Sequence, residues 1–95
     1  MAAYLIAHID VTDRQGFAAY GAAVPAIIER FGGRYLIRGG EIQVLEGDWA
    51  VPRLVTIEFP NAARARAFYD SPEYQEILPL RLAASRGTVV IAEGV

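Results

Sequence analysis

The sequence predicts one α+β domain over residues 1–95, an antiparallel four-stranded sheet with its helices on one face. Three observations predict it. The apolar rhythm switches between a period of two and a period of about 3.6 along the chain, dividing it into strands and helices. Glycine pairs and proline-led turns fall where the rhythm switches. The 95 residues, 54% apolar and 21% charged, suit one globular core and are too few for two.

Ala3 to Val11 reads as the first strand, with Ala3, Leu5, Ala7, Ile9 and Val11 on one face and Tyr4, Ile6, His8 and Asp10 on the other. The small apolar set belongs under helices. Thr12 and Asp13 are both capping residues, and Thr12-Asp13-Arg14-Gln15 fits a capping box. The helix that follows runs to about Phe31, with Phe17, Tyr20, Val24, Ile27, Ile28 and Phe31 on its apolar stripe. Pro25 should bend or break it. Gly32-Gly33 ends it.

Arg34 to Arg38 reads as the second strand, interrupted at Gly39-Gly40 and resumed from Glu41 to Glu46. Gly47-Asp48 is a turn, and Arg53 to Phe59 returns as the third strand. Asn61 caps a second helix whose inward residues are Ala62, Ala65, Phe68 and Tyr69. Ser71-Pro72 opens a further helical stretch, which Pro79 should divide and which ends near Ser85-Arg86-Gly87. Thr88 to Glu93 is the last strand.

The order β-α-β-β-α-β with right-handed crossovers is ferredoxin-like, and it places the strands in the spatial order 4-1-3-2. Two helices can cover only one side of such a sheet. The uncovered side would show Tyr4, Ile6, His8, Leu54, Thr56 and Glu58, a surface too apolar for water. A second copy of the chain is the simplest cover, so a homodimer is expected. Polar groups on that face are then either pocket residues between sheet and partner or pairs within an interface.

Composition removes several function classes. There is no cysteine, which excludes disulfides, thiolate catalysis and thiolate-bound metal. His8 is the sole histidine, so no metal site of several imidazoles can form and no metal is expected. A net charge of −2 argues against nucleic acid as a partner. All nine basic residues are arginine, which suits planar carboxylate or phosphate recognition. The apolar run from Ala2 to Ile9 stops at Asp10, too short for a signal peptide or membrane span, and the expected location is the cytoplasm. The glycine pairs lack the spacing of a dinucleotide fingerprint or a P-loop.

His8 is the one side chain whose ordinary pKa suits proton transfer near neutrality, against the plainer role of a hydrogen-bonded structural histidine. Glu58 could act as a buried general base or be locked by an arginine, and antiparallel pairing sets it nearer Tyr4 than His8. Arg38, beside the Gly39-Gly40 bend, Arg53, at the start of the third strand, and Arg81, in an apolar helical stretch, could each hold an anion or pair with Glu46, Glu58 or Asp13. Tyr20, Tyr69, Tyr74 and Trp49 are large amphipathic groups for packing or for a pocket wall.

Several blocks along the chain together resemble one family. They include Gly32-Gly33-Arg34-Tyr35, Arg38-Gly39-Gly40, Leu45-Glu46-Gly47-Asp48-Trp49, Ile57-Glu58-Phe59-Pro60, Ser71-Pro72-Glu73-Tyr74-Gln75 and Leu80-Arg81. The chain resembles the bacterial domain of unknown function 1330 family, of the dimeric α/β-barrel superfamily, over nearly its whole length. Arg14 departs from the proline that members often carry after the aspartate. The resemblance implies the fold, a homodimer and a pocket between sheet and helices, but no reaction. The superfamily spans cofactor-independent monooxygenases, lactone isomerases, haem-degrading enzymes and plain ligand binders. Positions implied to line a site are Asp13, Tyr20, Arg38, Glu46, Arg53, Glu58, Tyr69, Ser71 and Tyr74.

The functional expectation is therefore a small homodimeric protein that binds or transforms a small carboxylate- or carbonyl-bearing organic molecule. Arg38 would hold the anion and Glu58 or His8 would move the proton. No cofactor is expected, because His8 would be the sole imidazole open to a haem. The alternatives are a non-catalytic binding or sensing module and a structural interaction domain.

Overall fold

A computed structural model describes residues 1–49 and 53–95. Its elements are β1 (Ala3–Val11), α1 (Arg14–Arg30), β2 (Arg34–Arg38), β3 (Arg53–Phe59), α2 (Ala62–Asp70), α3 (Pro72–Ala84) and β4 (Ser85–Glu93). The strands form one antiparallel sheet in the order β2-β3-β1-β4, as the β-α-β-β-α-β pattern requires.

Strict alternation in β1 decides which face is the core. Ala3, Leu5, Ala7 and Ile9 are buried, while Tyr4, Ile6, His8 and Asp10 are half-buried on the other side. Their partners follow suit, since Leu5 faces Ile57 and Ile91, and Tyr4 faces Glu58 and Ala92. Against the first face pack Val24, Ile27 and Ile28 of α1, Phe68 of α2, and Tyr74 and Leu78 of α3. Phe59, Phe68, Ile9 and Ile28 are the largest fully buried side chains, each contributing about 1.5–3 kcal/mol by leaving water.

Helix ends follow local chemistry. Asp13, not Thr12, caps α1, its Oδ1 accepting from the Gly16 N–H at 3.3 Å. The expected Thr12 capping box does not form, because the Thr12 and Asp13 N–H groups both donate to the Ala84 carbonyl, at 2.8 and 3.0 Å. At the other end Gly32 turns left-handed, with φ 78°, and Gly32 and Gly33 donate to the carbonyls of Glu29 and Ile28. This is a Schellman closure. Asn61 caps α2, and Ser71 caps α3 with Pro72 in its first turn.

Three expectations need correction. α1 runs unbroken through Pro25, and α3 through Pro79. Pro79 is exposed, so the carbonyl one turn back can turn to water; the accommodation at Pro25 concerns the site below. Glu41 to Glu46 is not a strand. The last β2–β3 ladder bond is Gly39 N–H to the Leu54 carbonyl, at 2.9 Å, and the left-handed turn at Gly39 (φ 72°) takes the chain off the sheet. Among the described residues, no strand lies beside residues 41–46 to pair with them. β4 begins three residues earlier than expected, at Ser85, because β1 is long enough for Val11 to pair with it.

Candidate functional site

A cavity of about 50 Å³ lies between the helical layer and the core face of the sheet. Its walls are apolar where β1 faces it, at Leu5, Ala7 and Ile9, and where α1 adds Phe17 and Val24. Its polar groups are three arginines, Arg38, Arg53 and Arg81, and three tyrosines, Tyr20, Tyr35 and Tyr74.

Each polar group arrives by a traceable route. Arg53 opens β3 and shares a face with Val55, Ile57 and Phe59 by simple alternation. Tyr35 and Arg38 are an odd number of residues apart, so an ideal strand would place them on opposite faces. The register slips between Tyr35 and Ile37, which pairs Tyr35 with Ile57 and Arg38 with Val55, both core-facing. The bulge therefore turns both side chains into the cavity. Tyr20 comes from the middle of α1, Tyr74 from the first turn of α3, and Arg81 from near its end.

Pro25 then acquires a role. It has no N–H, so the Gly21 carbonyl one turn earlier loses its intrahelical partner. Arg38 replaces that partner, its Nη2 donating to the Gly21 oxygen at 2.9 Å. The same guanidinium stacks on Tyr35, 4.6 Å from the ring centroid. Arg53 lies over Phe17 at 5.3 Å, and Arg81 over Tyr20 at 5.9 Å. Rings and a carbonyl, rather than carboxylates, hold these cations. Ion pairs among the described residues run Arg30–Glu73, Arg34–Glu58, Arg66–Asp70 and Arg86–Asp10, and none engages a cavity arginine.

Exposure grades the three. Arg38 is exposed at the mouth, Arg53 is half-buried, and Arg81 is only 7% exposed. The Arg53 Nε is buried and, among the described residues, has no hydrogen-bond partner. Gly39 backs onto this guanidinium, and a Cβ there would overlap Nη1 and lie 2.7 Å from Cζ. The Tyr20 and Tyr74 hydroxyls share a 2.8 Å hydrogen bond. Burial, reinforced by Tyr74, pushes the Tyr20 phenol far above its ordinary value of 10.0. Burial raises Tyr35 as well, with Arg38 and Arg53 pulling the other way. Burial works against the Arg81 charge, yet the surrounding Tyr74, Tyr20 and Tyr69 outweigh it and raise its pKa.

The remaining nominated residues lie elsewhere. Glu58 and His8 are on the opposite face of the sheet. Glu58 accepts from Arg34 Nε at 2.8 Å and from the Tyr4 hydroxyl at 3.4 Å. His8 meets Trp49 edge-on, with centroids 4.6 Å apart. Asp13 caps α1, and Glu46 is exposed in the segment after β2. Ser71 donates to the Phe68 carbonyl and accepts from the Tyr74 N–H, which fixes the helix turn that carries Tyr74. Tyr69 packs on the Tyr74 ring at 5.4 Å, behind the cavity wall. Tyr35 and Phe17 are not among the positions expected to line a site; the glycine pair at 39–40 marks an interruption of the strand, and the bulge lies three residues earlier, at Leu36.

Among the described residues no helix is long and apolar enough to cross a membrane. The four-stranded antiparallel sheet with its helices on one face is a ferredoxin-like fold. Residues 2–95 match the family model for the domain of unknown function DUF1330, and the chain belongs to that family. A protein of unknown function from Rhodopseudomonas palustris superposes with a TM-score of 0.81 at 20% identity, over 99% of this chain and 82% of that one. A dimeric ferredoxin-like protein of unknown function from Jannaschia sp. CCS1 gives 0.67 at 16% identity, over 99% and 100%. The cofactor-independent oxygenase SnoaB from Streptomyces nogalater gives 0.63 at 11% identity, over 99% and 93%. Comparison with curated proteins finds no match.

Proposed function

We propose that this protein is a cytoplasmic homodimer that binds a small carboxylate- or carbonyl-bearing organic molecule in the cavity between sheet and helices. One observation carries the reading: three guanidinium groups line an apolar cavity with no carboxylate paired to any of them among the described residues. A buried cation without a counter-charge costs several kcal/mol, and an anionic ligand relieves that cost. Arginine also matches a planar carboxylate with two parallel N–H donors. The homodimer is supported by the open sheet face, where Val90 is 48% and Ile37 40% exposed, and by the dimeric description of the Jannaschia protein.

Within the cavity the ionisable groups are arginines and tyrosines alone, among the described residues. None suits proton transfer near neutrality, which favours binding over turnover at this site. The likeness to SnoaB is one of fold and brings no reaction with it. A second reading keeps proton transfer at Glu58 and His8. Their position on the open face means that such chemistry would act on a molecule held between two copies.

The test is calorimetric titration of the full chain with acetate and propionate, beside the variant Arg53→Met. Saturable binding that Arg53→Met abolishes is expected. Binding that survives that substitution unweakened removes the cavity from the account.

A further inference from the structure

We propose that the ligand of this cavity is a short dicarboxylate of three or four carbons, held at both ends. This inference rests on the carboxylate-binding reading above and names the class of molecule it takes. The polar groups of the cavity form two poles, one brought by the sheet and one by the helices, among apolar residues of β1 and α1.

The first pole belongs to the sheet. Arg38 pairs with Val55, and Arg53 stands two residues before Val55 on the same face of β3, so the two arginines are diagonal neighbours. With Gly39 pressed against the Nη1 side of Arg53, the donors left over are Nε–H and the Nη2 group beside it. Those two point the same way along one edge of a guanidinium, the edge that takes a carboxylate side-on.

The second pole belongs to the helices. Arg81 is 7% exposed, and its guanidinium sits over the Tyr20 ring. The two hydroxyls of Tyr20 and Tyr74 carry two protons and use one of them in their mutual hydrogen bond. One O–H donor is therefore left to give away. A buried guanidinium beside a free hydroxyl donor is a second carboxylate site.

Phe17 neighbours both poles, its ring centroid 5.3 Å from the Arg53 Cζ and 5.6 Å from the Tyr20 ring centroid. A ligand that satisfies both poles must carry an acceptor group at each end of a short apolar middle. Charge selects among such ligands. Arg38 is solvated at the mouth, leaving half-buried Arg53 and buried Arg81 to be neutralised within, and two cations match a dianion. Size sets the length. A cavity of about 50 Å³ holds roughly three to five waters, or on the order of 90–150 Å³ of molecular volume, which is the range of a three- or four-carbon diacid.

Titrating the full chain with propionate, malonate and succinate at neutral pH tests this. Malonate or succinate is expected to bind at least tenfold tighter than propionate, and Arg81→Met to bring that ratio close to one. Tyr74→Phe, which keeps the ring and its packing, is expected to lower the ratio severalfold and covers the case in which Arg81→Met fails to fold. If propionate binds as tightly as both diacids in the wild-type chain, the two-ended ligand is wrong while the carboxylate site stands. If none of the three acids binds, both readings fall.

Discussion

Arg38 and Pro25 are coupled through a carbonyl that neither of them owns. Because Pro25 has no N–H, the Gly21 oxygen is free, and Arg38 Nη2 donates to it at 2.9 Å. A residue that looks like a defect in α1 thereby creates the acceptor that positions a cation at the mouth of the cavity. Pro25→Ala should restore the helical bond to Gly21 and remove up to about 3 kcal/mol of interior-proline cost. The melting temperature should rise while carboxylate affinity falls a few-fold, as Arg38 loses its anchor. Calorimetry on the variant reads both; unaltered affinity would show that the anchor is idle.

Gly39 is constrained twice, by φ of 72° and by the Arg53 guanidinium behind it. Gly39→Ala should cost about 1–2 kcal/mol from the left-handed backbone alone, and it should also displace Arg53 and weaken anion binding. Gly40→Ala is the matched control, since nothing lies within 4 Å of a Cβ there. Urea unfolding of the pair should separate them cleanly. Equal stability of the two variants would remove the close approach from the account.

Tyr20 gives the pH dependence a sign. Its phenol is raised above 10.0 in the folded chain by burial, so the folded state holds this proton more tightly than the unfolded state does. The resulting stabilisation is complete below the unfolded value and is lost as pH rises beyond it. Stability should therefore fall as pH climbs above about 10, and Tyr20→Phe should flatten that decline. Denaturation midpoints between neutral and strongly alkaline pH would show it.

On the open sheet face, Val90 of the edge strand β4 pairs with Ile6 and is one of the exposed apolar residues of that surface. Val90→Glu should convert a dimer into a folded monomer, because a charge is costly in an apolar interface. Sedimentation of both forms at matched concentration decides this. A monomeric wild-type chain would end the dimer proposal, though not the cavity, which lies on the other face.

Much of this architecture can be read along the chain. Alternation in Ala3–Val11 assigns the two faces correctly, and Gly32-Gly33 and Ser71-Pro72 mark real helix boundaries. Glu41–Glu46 misleads because Ile42 and Val44 alternate with polar residues as a strand would. Pairing, however, is a property of the neighbour, and among the described residues the last bond from this segment to β3 is Gly39 N–H to the Leu54 carbonyl. The candidate cavity is legible in its parts and not in its assembly. Arg38, Arg53, Tyr20 and Tyr74 stand out by residue type, and Arg81 by interrupting an apolar helix. That Arg38 joins the others on the helix side, apart from Glu58 and His8, depends on a bulge at Leu36 and a carbonyl freed by Pro25. Neither is a matter of periodicity.

The central claim is that the cavity arginines receive a carboxylate, and Arg53 Nε–H is the donor that has no other partner among the described residues. Nitrogen-resolved NMR of the arginine Nε–H groups during titration with malonate tests it most directly. The Arg53 resonance should move saturably, in step with Arg81, while that of Arg34, already bound to Glu58, stays in place. Movement confined to surface arginines, with Arg53 and Arg81 unaffected at saturating malonate, would contradict the account.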